Sequence, residues 1–156
     1  MSDIEQRIAA AKARLAEAES KRSARLADKA ALAEVEDLER QAKLADAVAE
    51  MESKHGDLGK KLAIVHATYA DGAVAGSVIV KVASGPEWAA YKAKIQAAKG
   101  VEIDDTTERL WRTNVVYPDL AAVDALCKEL PFLSTALGDA VGRLCGVRIE
   151  DLAAKQ

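Results

Sequence analysis

Two histidines, two cysteines and a short acidic run, EIDDTTE at 102–108, are the residues of this chain best equipped for chemistry. His55 falls near the end of a helix-forming segment, and His66 sits between Val65 and Ala67 in a β-rich run. Neither has a cysteine, a second histidine or a carboxylate at metal-ligand spacing, so zinc is not expected. Cys127 and Cys145 lie on apolar helical stripes with no CxxC pair and no nearby histidine, which points to buried free thiols rather than a disulfide or redox pair. The stretch ADGAVAG carries glycines but no following helix, and reads as a hairpin loop; no GxGxxG, GxxxxGK[ST] or GxSxG pattern occurs. The acidic run can attract a divalent cation, but it also reads as an acidic loop and a helix start capped by Asp105 or Thr106. No residue is assigned a catalytic, cofactor-binding or metal-ligating role, and the chain is read as non-enzymatic.

The elements around these residues divide into two parts: a long charged helix over 1–58 and a small α+β domain over 59–156. The fold class expected is therefore mostly helical α+β. From Ser2 to His55 there is neither Gly nor Pro, and nearly every residue is a strong helix former. Ser2 and Glu5 make an S-x-x-E capping box, and Gly56 or Gly59 ends the helix. Apolar positions recur in steps of four and three at Ile4, Ile8, Ala11, Leu15 and Ala18, and again at Leu44, Val48, Met51 and His55, with a weak middle where Leu26, Leu32, Val35 and Leu38 drift around the cylinder. This predicts a self-association seam carried by Ile4, Ile8, Leu15, Leu44, Val48 and Met51.

Charges suggest an orientation. Arg7 with Glu52, Arg14 with Asp46, Glu17 with Lys43 and Arg25 with Glu34 are pairs reflected about residue 30, and so are Ile8 with Met51 and Leu15 with Leu44. An antiparallel dimer of straight helices satisfies both sets and is favoured; a hairpin folded at LADKA has the same symmetry. A parallel coiled coil and a single solvated helix laced by i, i+4 pairs such as Glu17–Lys21 and Glu50–Lys54 remain open.

After Gly59 the composition shifts. Two β-rich runs, 62–69 and 77–84, flank Asp71-Gly72 and Gly76 and read as a hairpin. A hairpin needs cover on its apolar face. Cover is available from a helix capped at Ser84 or Gly85, with Pro86 at its first position, Trp88, Tyr91 and Ile95 inward and Gly100 at its end. A short helix with Leu110 and Trp111 inward then runs into VVYPD. Pro118 disfavours helix at Tyr117, and Pro118 or Asp119 opens the next helix, with its stripe Leu120, Val123, Leu126, Cys127 and Leu130. Pro131 starts another, with Leu133, Leu137, Ala140, Val141 and Leu144. Gly138, Gly142 and Gly146 recur every fourth residue along it. Each glycine within a helix costs about 1 kcal/mol against alanine, so the row implies either close approach inside the domain or a shallow groove for a partner helix.

With 22 basic and 25 acidic residues the net charge is -3, so no overall positive field attracts nucleic acid. The apolar stretches fall far short of the ~20 residues that span a bilayer, and MSDIEQR lacks a basic and apolar leader, so a cytoplasmic protein is expected.

The succession SVIVKV, GPEWAAYKAKI, VVYPD and LAAVDALCKELPFLSTALGDAVGRLCG, over residues 62–148, resembles the tail assembly chaperones of tailed bacteriophages. The points that carry it are Pro86 with Trp88, Val115 to Asp119, Pro131 and the Leu137 to Gly146 run. What the resemblance implies is a small helical binder in the cytoplasm of a bacterial host, without cofactor, that holds a tape-measure-like helical protein. On that basis Trp88, Leu126, Leu137, Gly138, Gly142 and Gly146 are expected to face the partner. The N-terminal helix departs from the family pattern, and a structural component of a phage or phage-like particle is the alternative.

Overall fold

The computed structural model describes residues 2–97 and 101–146. Helix α1 runs without interruption over Asp3–His55, so the chain does not turn back at LADKA. Its start is fixed by the expected box: the Ser2 amide donates to Glu5 Oε2 at 2.7 Å, and the Glu5 amide donates to Ser2 Oγ at 3.2 Å. Gly56, at φ +110°, takes the left-handed conformation that closes it. At about 1.5 Å per residue, 53 residues make a helix of about 80 Å.

Packing divides the chain inside this helix, between Lys43 and Leu44, rather than at residue 58. The reason is local. Leu44, Ala47, Val48 and Met51 lie on one face of the last turns of α1 and pack on Leu62, Ile64, Ile79, Val116 and Tyr117. In the unit before this point the helix carries Ile4, Ile8, Leu15, Leu26, Leu32, Val35 and Leu38, all at least half exposed. Ion pairs such as Lys21–Glu17 at 2.8 Å lace its surface.

The second unit is built on a three-stranded antiparallel sheet, β1 (Leu62–Thr68), β2 (Val74–Lys81) and β3 (Val115–Tyr117), in the order β1-β2-β3. The register pairs Ile64 with Ile79 and Val65 with Val78. Because side chains alternate along a strand, each strand serves both faces. Leu62, Ile64 and Ile79 meet the end of α1 on one side. Ala63, Val65, Ala67, Val78, Val80 and Val115 meet the helices on the other. The hairpin turn is tighter than the sequence suggested, since β2 starts at Val74 and includes Gly76. Gly72 takes φ +87° and the Ala73 amide donates to Asp71 Oδ1 at 2.9 Å. Gly76 lies in the strand and not in the turn, and a Cβ there would lie 2.9 Å from Leu126 Cδ1, so that side chain would have to shift.

Helix α2 spans Gly85–Ala97 and begins in a second capping box, Ser84 with Glu87, which places Pro86 one step inside the first helical residue. The expected stop at Gly100 lies outside the described residues. Helix α3 spans Val101–Asn114, so Asp105 and Thr106 lie within it and do not cap it. It runs into β3, a strand the sequence reading did not contain. Asp119 caps α4 (Leu120–Glu129), its Oδ1 accepting from the Ala122 amide at 2.8 Å, and the Tyr117-Pro118 bond before it is cis. Helix α5 covers Phe132–Leu144. Of the α4 stripe, Val123 is fully buried while Leu120 is exposed.

The helical layer is tied by Trp111, buried between α3 and α5, whose Nε1 donates to Ser134 Oγ at 3.0 Å. Arg112 joins α3 to α4 through two hydrogen bonds to Asp124, at 2.5 and 3.2 Å. Ile95, Leu137 and Val141 are completely buried, and burying one such side chain contributes about 1.5–3 kcal/mol. The molecule is thus a mostly helical α+β protein with a long N-terminal helix. No helix among the described residues is long and apolar enough to cross a membrane.

Candidate functional site

The residues singled out for chemistry do not converge. No group of three His, Cys, Asp or Glu able to hold a metal ion occurs among the described residues. His66 Nδ1 lies 2.8 Å from Ser77 Oγ across the β1–β2 pair and is exposed. Cys127 and Cys145 are half-buried free thiols, and burial raises the pKa of both, which disfavours the thiolate.

Of the six residues expected to face a partner, five are buried or half-buried in the domain's own packing and Gly146 is exposed. Leu137, Gly138 and Gly142 are buried on α5. Leu126 is half-buried against the core and lies against Gly76. Trp88 stacks on Tyr91 with ring centroids 5.2 Å apart and also packs on the core. Gly146 takes φ +85° after the last turn of α5, a conformation suited to ending a helix. Of the two readings of the glycine row, burial of Gly138 and Gly142 favours close approach inside the domain, and Gly146 follows the end of the helix. The physical reason is that glycine on a buried face admits a neighbour's backbone or side chain, and that neighbour is already present within the domain.

The six seam residues separate into two sets. Leu44, Val48 and Met51 are half-buried against the sheet, whereas Ile4, Ile8 and Leu15 are 67, 50 and 61% exposed. The antiparallel register about residue 30 lays the second set of one chain on the first set of another. With the sheet on that face, this register would require the sheet cover to open.

A surface the sequence reading missed lies along the outer edge of β1. There a groove of about 740 Å³ runs between the strand and α5, with Ala63, Val65, Ala136, Ala140 and Asp139 among its lining. Leu58, at one end of the groove, is 43% exposed. Past the other end, beside His66 and Thr68, a smaller hollow of about 220 Å³ holds Phe132, 87% exposed. One Asp139 oxygen, Oδ2, pairs with Arg143 at 2.6 Å, while Oδ1 is buried without a hydrogen-bond partner among the described residues. The sequence signal was the i, i+4 row Phe132, Ala136, Ala140, which the buried glycine row beside it overshadowed. No protein-family model, no curated protein and no solved structure matches this chain.

Proposed function

We propose that this protein is a non-enzymatic, protein-binding assembly factor that associates through the part of α1 from Ile4 to Leu38. The observation that carries the reading is the row of large apolar side chains there, each at least half exposed on a helix with no cover among the described residues. A second long helix laid on Ile4, Ile8, Leu15 and Leu26 would remove that surface from water, at about 25 cal/mol per Å² of apolar area. Alanines at 11 and 18 reduce the buried area, so association is modest and reversible. In its finer form, supported by the sequence resemblance over 62–148, the second helix belongs to a tape-measure-like protein in the cytoplasm of a bacterial host. In the homotypic form it belongs to another copy of this chain.

Sedimentation equilibrium of the full chain, alone and mixed with a long helical phage tail protein, tests the reading. A mass that rises with concentration, or a stoichiometric mixed complex, is expected, and the double variant Ile8→Asp, Leu15→Asp abolishes either. A monomer at every concentration that also ignores the helical protein overturns it. Recovery in finished particles would identify a structural component rather than a chaperone.

A further inference from the structure

β1 is an edge strand of the sheet in the second unit. Lys61 accepts from the Val82 amide at 2.8 Å, which fixes the parity of the β1–β2 ladder. Ala63, Val65 and Ala67 then bond to β2, and the N–H and C=O groups of Leu62, Ile64 and His66 point to the other side. The Leu62 groups are met by the preceding loop, through the Gly59 amide at 2.8 Å and the Asp57 carbonyl at 3.4 Å. Among the described residues no strand pairs with Ile64 or His66 on that side.

Sheet edges are ordinarily blunted by lysine, proline, a bulge or very short length. Between Leu62 and Ala67 this edge has none of these; its one irregularity falls at Ala67/Thr68, where the hairpin begins. Small side chains line both sides of the opening: Ala63 and Ala67 from the strand, and Ala136 and Ala140 from α5. The groove follows five strand residues, Leu62 to His66, about 16 Å at ~3.3 Å per residue. At its wall, Asp139 Oδ1 is buried and has no hydrogen-bond donor among the described residues, while Oδ2 pairs with Arg143, which also lines the groove.

We infer that this groove receives an extended segment of another polypeptide as a fourth strand on β1, with apolar side chains toward Ala136 and Ala140 and a lysine or arginine opposite Asp139. Main-chain bonds to Ile64 and His66 give the affinity. The alanine-lined slot and the Asp139 oxygen give the selectivity. Phe132, exposed beyond the end of the strand, extends the apolar contact for a longer segment. This surface belongs to the second unit and the α1 segment from Ile4 to Leu38 to the first, so variants in one should leave the readout of the other unchanged.

The probe is a library of random peptides of about eight residues, selected against the immobilised full-length protein. Enriched sequences are expected to alternate apolar residues and to place Lys or Arg at one position. A selected peptide should slow amide exchange at Ile64 and His66 in the full chain. His66→Pro removes an outward N–H without touching the β2 ladder, and should weaken that peptide at least tenfold. Ala136→Trp fills the slot and should do the same, which keeps the test decisive where the proline variant fails to fold. Asp139→Asn should bind but lose the basic preference. No enrichment, or binding indifferent to both His66→Pro and Ala136→Trp, overturns the inference. So does a change in mass of the peptide-free protein on Ala136→Trp, which would make this edge a contact between copies.

Discussion

Helices α1 and α5 both carry recurring apolar residues, yet α1 buries one of its 53 residues, Ala47, while α5 buries five of 13. The difference lies in what faces them. The α1 segment up to Lys43 is helical for local reasons: a capping box, alanine-rich propensity and i, i+4 ion pairs that contribute about 0.2–0.5 kcal/mol each. By contrast, α5 contains Gly138 and Gly142, each costing about 1 kcal/mol, and is helical because Leu133, Leu137 and Val141 are held in a core. One helix is specified by its neighbours in sequence, the other by its neighbours in space.

Substitutions can break this contrast or sharpen it. Leu137→Ala should have the largest effect, about 2–5 kcal/mol off the unfolding free energy, read by urea denaturation; α1 up to Lys43 should keep its helical circular dichroism through that transition. Gly142→Val overfills a buried face and should cost about 1–3 kcal/mol by the same measurement, where an exposed helical glycine would be neutral or gain. Asp119→Ala removes the α4 cap and should cost about 1 kcal/mol.

A smaller, pH-dependent effect belongs to Asp124. Its pKa is held below the usual 3.8, chiefly by the hydrogen bond from Arg112. With the folded value below the unfolded one, this contribution is present in full above about pH 5 and is lost as pH falls through the folded value. The gap in urea midpoint between the protein and Asp124→Asn should therefore be constant near neutrality and close below pH 3.8. Leu15→Ala, at a position 61% exposed, should change the monomer's stability by less than about 0.5 kcal/mol while weakening any association.

Much of the fold was legible because its signals are local. The Ser2–Glu5 box, the hairpin around Gly72, the Asp119 cap and the Pro131 break each depend on residues within a few positions of one another. What was not legible depends on distance in sequence. Strand β3 has three residues, too few to show a period, and only the pair Val115-Val116 hinted at it. The start of α3 at Val101 was hidden because Asp105 and Thr106 are good caps wherever they fall. Leu44, Val48 and Met51 have the spacing of a coiled-coil seam and of a helix docked on a sheet alike, and only the sheet packed against them distinguishes the two. The β1 edge has no signature at all, because which backbone groups point outward is set by pairing register and not by side chains.

The cover of the hairpin from both sides has a consequence for biosynthesis. Ile79 lies under the end of α1, which is translated before the hairpin, whereas Val78 and Val80 lie under helices translated after it. A growing chain therefore has one side of β2 covered by α1 as soon as the strand forms, while cover of the other side is completed only once Leu137 and Val141 have left the ribosome. During that interval α1 holds half of the sheet shut, reducing the greasy surface on offer to passing proteins.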